Sequence, residues 1–160
     1  MSEQVTIAAH PWVYAARLEG YDVFPVIDEI MADMAYASFE AIELMHTVLL
    51  HDESVERVAE ASRQHQLPVL GSSFGGAMWD AAQAEKVVED AYVVTARLQA
   101  LGAKTLGVSV GKAPAKKTPE QFDVQVWVLR ELDAMCSARG IVMNLHNHTY
   151  EVENNMHDLL

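Results

Sequence analysis

Residues 104–146 contain a strand, a helix and a second strand, and read KTLGVSVGKAPAKKTPEQFDVQVWVLRELDAMCSARGIVMNLH. The first run, Lys104 to Val110, is short and rich in β-branched residues, which is typical of a strand. Apolar residues then recur at three- and four-residue intervals from Pro119 to Ala138, which predicts an amphipathic helix. Ile141 to His146 follows as another short apolar run. The stretch therefore predicts a βαβ unit with parallel strands.

Capping residues support these boundaries. Thr118-Pro119-Glu120-Gln121 combines an N-cap, a proline at the first helical position and a capping-box glutamine. Gly102 and Gly140 stand where two helix ends need a residue with positive φ. Asp22 and Asp52 are predicted N-caps of the first two helices.

The alternation of strands and helices continues toward both ends of the chain. Three more strands are predicted at Val5 to Ala9, Glu40 to Met45 and Pro68 to Ser72. Helices are predicted at Val23 to Ala37, Glu53 to His65 and Ala81 to Leu101, and Asn154 to Leu160 is predicted to begin another.

A repeat of this kind forms either an open doubly wound sheet or a closed barrel. The open sheet usually has a glycine-rich turn after its first strand, whereas here the turn is Ala8-Ala9-His10-Pro11-Trp12. We therefore expect an α/β protein with a (β/α)8 TIM-barrel fold, of which this chain supplies about five βα units. Residues 1–160 are predicted to be a single, C-terminally incomplete domain, either a fragment or one partner of a split barrel.

The composition argues against several functional classes. Eleven basic residues against 23 acidic ones give a net charge of -12, which disfavours nucleic acid as a partner. No stretch is long and apolar enough to cross a membrane, and no leader is visible, so a cytoplasmic location is expected. The single cysteine, Cys136, is predicted to be a small buried side chain.

Polar residues lie near the C-terminal ends of the predicted strands, where barrel enzymes place their chemistry. Because side chains alternate along a strand, Glu43, Ser109 and His146 are predicted to face the lumen. The small residues Gly107 and Gly111 share that face and leave open volume. Other polar residues near strand ends are His10, Ser72 and Ser73. For each of these three, and for Ser109, solvation of the strand end explains the polar side chain at least as well as a functional role does.

The loops beyond the strands add further candidates. In Leu145 to Glu151, two histidines and a glutamate place nitrogen and oxygen ligands at one strand end, suitable for a divalent ion. Trp12 is a candidate apolar wall against a sugar ring. A basic loop either steers an anionic sugar acid or phosphate or is simply solvated, and its residues are Lys112, Lys116 and Lys117.

At this point the sequence resembles a known superfamily. The run Gly140 to Val152, GIVMNLHNHTYEV, resembles the H-N-H segment of the xylose-isomerase-like sugar phosphate isomerase/epimerase superfamily. FEAIEL at residues 39–44 and LGAK at residues 101–104 resemble that family's second strand and its approach to the fourth. The resemblance implies a divalent ion (Mn, Mg, Co or Zn) held at the barrel mouth by ligands from strands five to eight. Many members have a glutamate where this chain has His146, so either His146 binds the ion, or it acts on substrate while Glu151 binds.

The resemblance also implies a function. A metal-dependent sugar or sugar-phosphate isomerase or epimerase moves a proton next to a carbonyl, and Glu43, His146 and His148 are the candidate catalytic residues. The candidate substrate-binding residues are His10, Trp12, Ser72, Ser109 and Asn147, of which His10 and Asn147 are expected to contact hydroxyl groups. Two alternatives remain: a metal-assisted lyase or hydrolase on oxidised glycosides, and a non-catalytic subunit that completes a barrel with a second copy or a partner chain.

Overall fold

The structure, a computed structural model, describes residues 5–157 and contains one parallel sheet in the order β1-β2-β3-β4-β5. Each strand pairs with the strand that precedes it along the chain. This is the order of a barrel, whereas a doubly wound sheet reverses its order at a switch point. The strands are β1 (Ala8–Ala9), β2 (Ala41–Met45), β3 (Val69–Gly75), β4 (Thr105–Ser109) and β5 (Val142–Leu145).

Helices follow the strands and form the outer layer, where α2 packs against α3 and α4 against α5. The α-helices are α1 (Trp12–Ala15), α2 (Ile27–Tyr36), α3 (Ser54–His65), α4 (Ala84–Ala100), α5 (Pro119–Ala138) and α6 (Thr149–Met156). Short 3-10 turns lie at Glu19–Tyr21, Phe24–Val26 and Val48–Leu50.

The core lies between the sheet and the helices. Alternate strand residues, among them Ile42, Leu44 and Leu106, are fully buried on the helix side. Burying such side chains stabilises the fold by roughly 1.5–3 kcal/mol each. Cys136 on α5 belongs to this layer, as predicted, and burial raises the pKa of its thiol to about 11. That thiol is therefore a packing group.

Two strands differ from the prediction by more than one residue at an end, while the ends of β2, β4 and β5 differ by at most one residue. β1 is shorter than Val5 to Ala9, because the N–H of Ile7 donates to the Glu40 carboxylate at 2.7 Å instead of joining a strand ladder. β3 runs on to Gly75, past the predicted end at Ser72, because β4 pairs with it over its whole C-terminal part.

The predicted caps are mostly confirmed. Thr118 forms a capping box with Gln121, and Gly102 and Gly140 have φ of 74° and 66°. The Asp22 prediction is wrong: its side chain accepts from the N–H of Phe24 at 3.0 Å, but the N-cap of the 3-10 turn Phe24–Val26 is Val23 and that of α2 is Val26.

Two further predictions about helix starts are wrong, the N-cap Asp52 and the first residue of the last helix. The N-cap of α3 is Glu53, which makes no side-chain capping bond, and Asp52 accepts from Arg97 at 3.1 Å instead. The last helix begins at Thr149 and not at Asn154, because Glu151 completes a capping box with His148. The predicted end of that helix, residues 158–160, lies outside the described residues. Within residues 5–157, no helix is long and apolar enough to cross a membrane.

Candidate functional site

A cavity of about 750 Å³ opens at the C-terminal ends of the strands. Every strand contributes to it, either directly or through the loop that follows. The predicted inward direction of Glu43, Ser109 and His146 is confirmed. The lining residues are His10, Trp12, Glu43, Met45, His46, Ser73, Phe74, Gly75, Gly76, Gly107, Ser109, Gly111, His146, His148 and Tyr150.

His10, directly after β1, is held by hydrogen bonds on both ring nitrogens. The backbone N–H of Trp12 donates to Nδ1 at 3.2 Å, and Nε2 lies 3.0 Å from the Oγ of Ser73. Since a backbone N–H can only donate, Nδ1 is the acceptor and the ring proton is on Nε2, donated to Ser73. Burial lowers the pKa of His10, while the charge of Glu43 opposes that effect. His10 is therefore a neutral, fixed hydrogen-bond donor.

The carboxylate of Glu43 lies over β4. A Cβ atom added to Gly107 would stand 3.3 Å from its Oε1. Glu43 also acts electrostatically on His10, as does His146, so these three groups from three different strands share one region. A half-buried carboxylate between imidazoles is suited to accepting a proton.

The serines at the end of β3 point in opposite directions. Ser73 pairs in register with Met45 and Gly107, both of which line the cavity. Ser72 is fully buried, and its Oγ donates to the carbonyl of Leu44 at 3.1 Å. Ser72 therefore lies outside the cavity, contrary to its predicted contact with substrate, and the neighbouring Ser73 lines the cavity instead.

One side of the cavity is apolar and aromatic. Trp12, predicted to form such a wall, lines it and stacks on Tyr21 with ring centroids 5.4 Å apart. Phe74 lines it as well and contacts the ring of His46 at 4.9 Å. Burial lowers the pKa of His46, which leaves it neutral. A wall of this kind packs against the C–H faces of a sugar.

The opposite side is formed by β4, β5 and the start of α6. His146 and His148 meet edge to face at 4.8 Å, and Tyr150 stacks on His148 at 5.0 Å. The Oγ of Ser109 lies 2.9 Å from the hydroxyl of Tyr150 and 3.3 Å from Nδ1 of His148. Ser109 itself donates to Oε1 of Glu151 at 3.0 Å. Tyr150 was not predicted as a site residue, because it reaches the cavity only when α6 begins at Thr149.

Two more predicted residues lie away from this cavity. Asn147 is exposed and borders a second cavity of about 30 Å³, together with Gln125 and Leu129 of α5, so its contact with substrate stays a prediction. Glu151 borders the same small cavity and is only 2% exposed.

The predicted metal ligands do not form a complete site in this structure. Both oxygens of Glu151 are in use, since Oε1 accepts from Ser109 and Oε2 accepts from the N–H of His148 at 2.6 Å. Among residues 5–157, no group of three or more His, Cys, Asp or Glu side chains is placed to hold a metal ion. The described residues alone therefore do not fit the predicted ion.

The basic loop does not line the cavity. Lys117 is buried and donates to Oε1 of Gln125 at 2.8 Å, while Lys112 and Lys116 are exposed. The sequence predicted that this loop either steers an anion or is solvated. Lys117 does neither, because it belongs to the packing between the loop and α5.

No protein-family model matches the sequence, and no curated protein matches it. Solved structures do. D-allulose 3-epimerase from Methylomonas sp. superposes with a TM-score of 0.73 at 22% identity, over 89% of this chain and 51% of that one. A sugar phosphate isomerase/epimerase from Parabacteroides distasonis gives 0.65 at 12% identity, over 96% and 55%. A xylose isomerase domain protein from Planctomyces limnophilus gives 0.60 at 11% identity, over 77% and 52%.

These similarities establish the fold. The chain has the architecture of the xylose-isomerase-like TIM barrels, as its sequence predicted, and it spans about half the length of the solved structures it matches.

Proposed function

We propose that this chain carries part of the active site of a sugar isomerase or epimerase, which moves a proton at the carbon next to a carbonyl. One observation carries the proposal: His10, Glu43, His146 and His148 line a single cavity. Groups able to accept or donate a proton thereby surround one volume that a small carbohydrate can occupy.

The two sides of the cavity support a carbohydrate substrate. Trp12, Met45 and Phe74 offer apolar surface, and the opposite side offers imidazole, hydroxyl and carboxylate groups. A sugar presents the matching pair of surfaces, C–H faces and hydroxyl edges. The superposed protein from Methylomonas sp. is a D-allulose 3-epimerase, which makes a ketose the first compound to test.

The reaction needs a base beside the substrate carbon and a donor beside the carbonyl oxygen. Glu43, His146 and His148 are the candidates for the base. The base takes the proton from carbon, the C–H electron pair forms a C=C bond, and the carbonyl oxygen becomes an enolate oxygen. Return of a proton to the opposite face of that carbon completes an epimerisation. Return of the proton to the former carbonyl carbon completes an isomerisation, provided that the hydroxyl proton of the first carbon passes to the enolate oxygen and leaves the new carbonyl behind.

A divalent ion (Mn, Mg, Co or Zn) is a separate part of the proposal. His146 and Glu43, which both line the cavity, would be two of its ligands, and further ligands would have to come from other strands. The test is the melting temperature of the chain with each ion added. Binding to the folded state raises it, and no rise with any of the four ions would count against the metal.

Closure of the barrel is also a proposal. Within residues 5–157, β1 pairs only with β2 and β5 only with β4, so each has one unpaired side. Unpaired strand edges invite further strands. We propose that further sequence, a second copy or a partner chain closes the barrel at these edges.

The experiment for the reaction is incubation of the chain with D-allulose and related ketoses in D2O. We expect deuterium at the carbon next to the carbonyl, together with formation of the epimer, both followed by NMR. Loss of the signal in a Glu43→Gln, His146→Gln and His148→Gln triple variant would tie it to the cavity. Intact protein that neither exchanges nor isomerises any ketose would reject the proposal, and cleavage of a glycoside instead would favour the lyase or hydrolase alternative.

A further inference from the structure

Ser73 stands at the end of a hydrogen-bonded chain that begins in the backbone. The N–H of Trp12 donates to Nδ1 of His10 at 3.2 Å, and Nε2 of His10 lies 3.0 Å from the Oγ of Ser73. The first bond fixes the tautomer of His10, so the second runs from His10 to Ser73. Ser73 is thus an acceptor toward His10, and its own proton must point elsewhere.

Among residues 5–157, the proton of Ser73 has one protein acceptor within reach, the carbonyl oxygen of Leu44. That oxygen is 3.5 Å away, at the limit of a hydrogen bond. The Oγ of Ser72 also lies 3.1 Å from it, although the carbonyl of Ser73 is a nearer acceptor for the Ser72 proton at 2.8 Å. Turning the Ser73 proton into the cavity therefore costs little.

Ser73 lies where its hydroxyl proton can point toward a molecule in the cavity. Its neighbours in register, Met45 and Gly107, line the cavity, and Gly107 has no side chain to fill the space beside it. The Glu43 carboxylate lies on the other side of that space, beside the position a Gly107 Cβ would occupy. A small molecule here would have a hydroxyl donor on one side and a carboxylate on the other.

We propose that the hydroxyl of Ser73 donates a hydrogen bond to the substrate oxygen on which negative charge develops, and that His10 is the positioning residue that aims it. This inference rests on the proposed function. The sequence pattern alone does not distinguish Ser73 from Ser72 as the donor. Ser72 cannot be the donor, because its side chain is buried and turned away from the cavity.

The chain of donors suits a charge that appears during the reaction. As the C–H electron pair moves toward the carbonyl oxygen, each bond in the series from Trp12 to His10 to Ser73 is polarised in the same direction. No proton is transferred between Trp12, His10 and Ser73. The proton from carbon goes to the base, and His10 remains neutral. Donors held in place before the reaction stabilise the enolate without reorganising.

The test compares two neighbouring serines. In Ser73→Ala, we expect the rate of deuterium incorporation into a ketose to fall about 100-fold with little change in KM, since the bond strengthens mainly as charge develops. Ser72→Ala removes the same hydroxyl from the next residue, outside the cavity, and is expected to leave the rate within about twofold, because the interaction it loses is structural. His10→Gln keeps a side-chain amide able to donate to Ser73 and is expected to recover part of the rate that His10→Phe loses.

A second readout does not depend on turnover. In 15N-labelled protein, adding D-allulose is expected to shift the Nε2 resonance of His10 in the wild type and in Ser72→Ala, but not in Ser73→Ala. If D-allulose shifts other cavity resonances while His10 Nε2 stays unchanged, or if Ser73→Ala exchanges deuterium at the wild-type rate, the role of Ser73 is refuted and the proposed function stands. If neither D-allulose nor a related ketose binds the wild type at all, both fall together.

Discussion

The carboxylate of Glu43 has room in the lumen because residue 107 is glycine. A Cβ atom there would stand 3.3 Å from Oε1, closer than an ordinary van der Waals contact, so the carboxylate would have to move by a few tenths of an ångström. Residue 107 therefore sets the position of Glu43 relative to the other groups around the cavity.

Gly107→Ala is expected to slow deuterium exchange about tenfold, because small displacements of a reacting group are costly. Gly102→Ala is the control: Gly102 has φ of 74° with nothing within 4 Å of an added Cβ. That variant should lose about 1 kcal/mol of stability and keep its exchange rate. Equal exchange rates in the two variants would show that Glu43 has no part in the reaction.

His46 provides a test by pH. Burial lowers the pKa of its imidazole below the ordinary value of 6.5, against a smaller opposing effect of Asp90. The unfolded chain therefore takes up this proton at a higher pH than the folded chain does. Its contribution to stability is complete above about pH 6.5 and is lost as the pH falls through the lowered pKa.

His46→Gln is expected to reduce the loss of unfolding free energy between about pH 7 and about pH 5, as measured by urea denaturation. Part of the loss should remain, since burial lowers the pKa of His10 in the same way. An unchanged pH dependence in His46→Gln would contradict the burial of that imidazole.

Some residue positions followed from the sequence and others did not. Alternation along a strand was enough to place Glu43, Ser109 and His146 in the cavity. It failed for Ser72 because both serines stood near the predicted strand end, and only the pairing of Ser73 with Met45 and Gly107 decides between them. Such a register depends on partners far apart in the chain.

At the scale of the helices and strands, local chemistry fixed most boundaries. The start of α5 was predicted to the residue because Thr118, Pro119 and Gln121 act on each other within one turn. The start of α6 was missed because the residues His148 and Glu151, which form its capping box, were interpreted as metal ligands. The same side chains fit two hypotheses, a metal site and the start of a helix, and the structure supports the start of a helix.

A pair of variants tests the caps. Thr118→Ala is expected to cost about 1 kcal/mol of unfolding free energy, since it removes the acceptor for the N–H of Gln121. Asp52→Ala should leave the unfolding free energy almost unchanged, because the Asp52 side chain is fully exposed and its ion pair with Arg97 is screened by solvent. Denaturant titration gives both values, and an equal loss in the two variants would mean that Asp52 caps α3 after all.

For the whole molecule, the sequential strand order was predictable because short connections place consecutive parallel strands side by side. This chain spans about half the length of the solved structures that it matches. On the edge strand β5, Val142 and Leu145 are exposed by 59% and 56%.

Sedimentation tests the unpaired edges. We expect the 160-residue chain to associate with increasing concentration, and Leu145→Lys to weaken that association by placing a charge on the edge of β5. Tyr36→Lys is the control, because Tyr36 is 93% exposed and lies at the end of α2, not on a strand. A monodisperse monomer at all concentrations would rule out self-association at these edges.

The central claim is that side chains from separate strands converge on one cavity that binds a sugar. The most direct test is NMR of the histidine side chains while D-allulose is added. The cavity histidines are His10, His46, His146 and His148, and their resonances should shift together. The histidines outside the cavity are His51, His65 and His157, and their resonances should stay unchanged. Shifts confined to the second group, or no shift at any ketose concentration, would contradict the account.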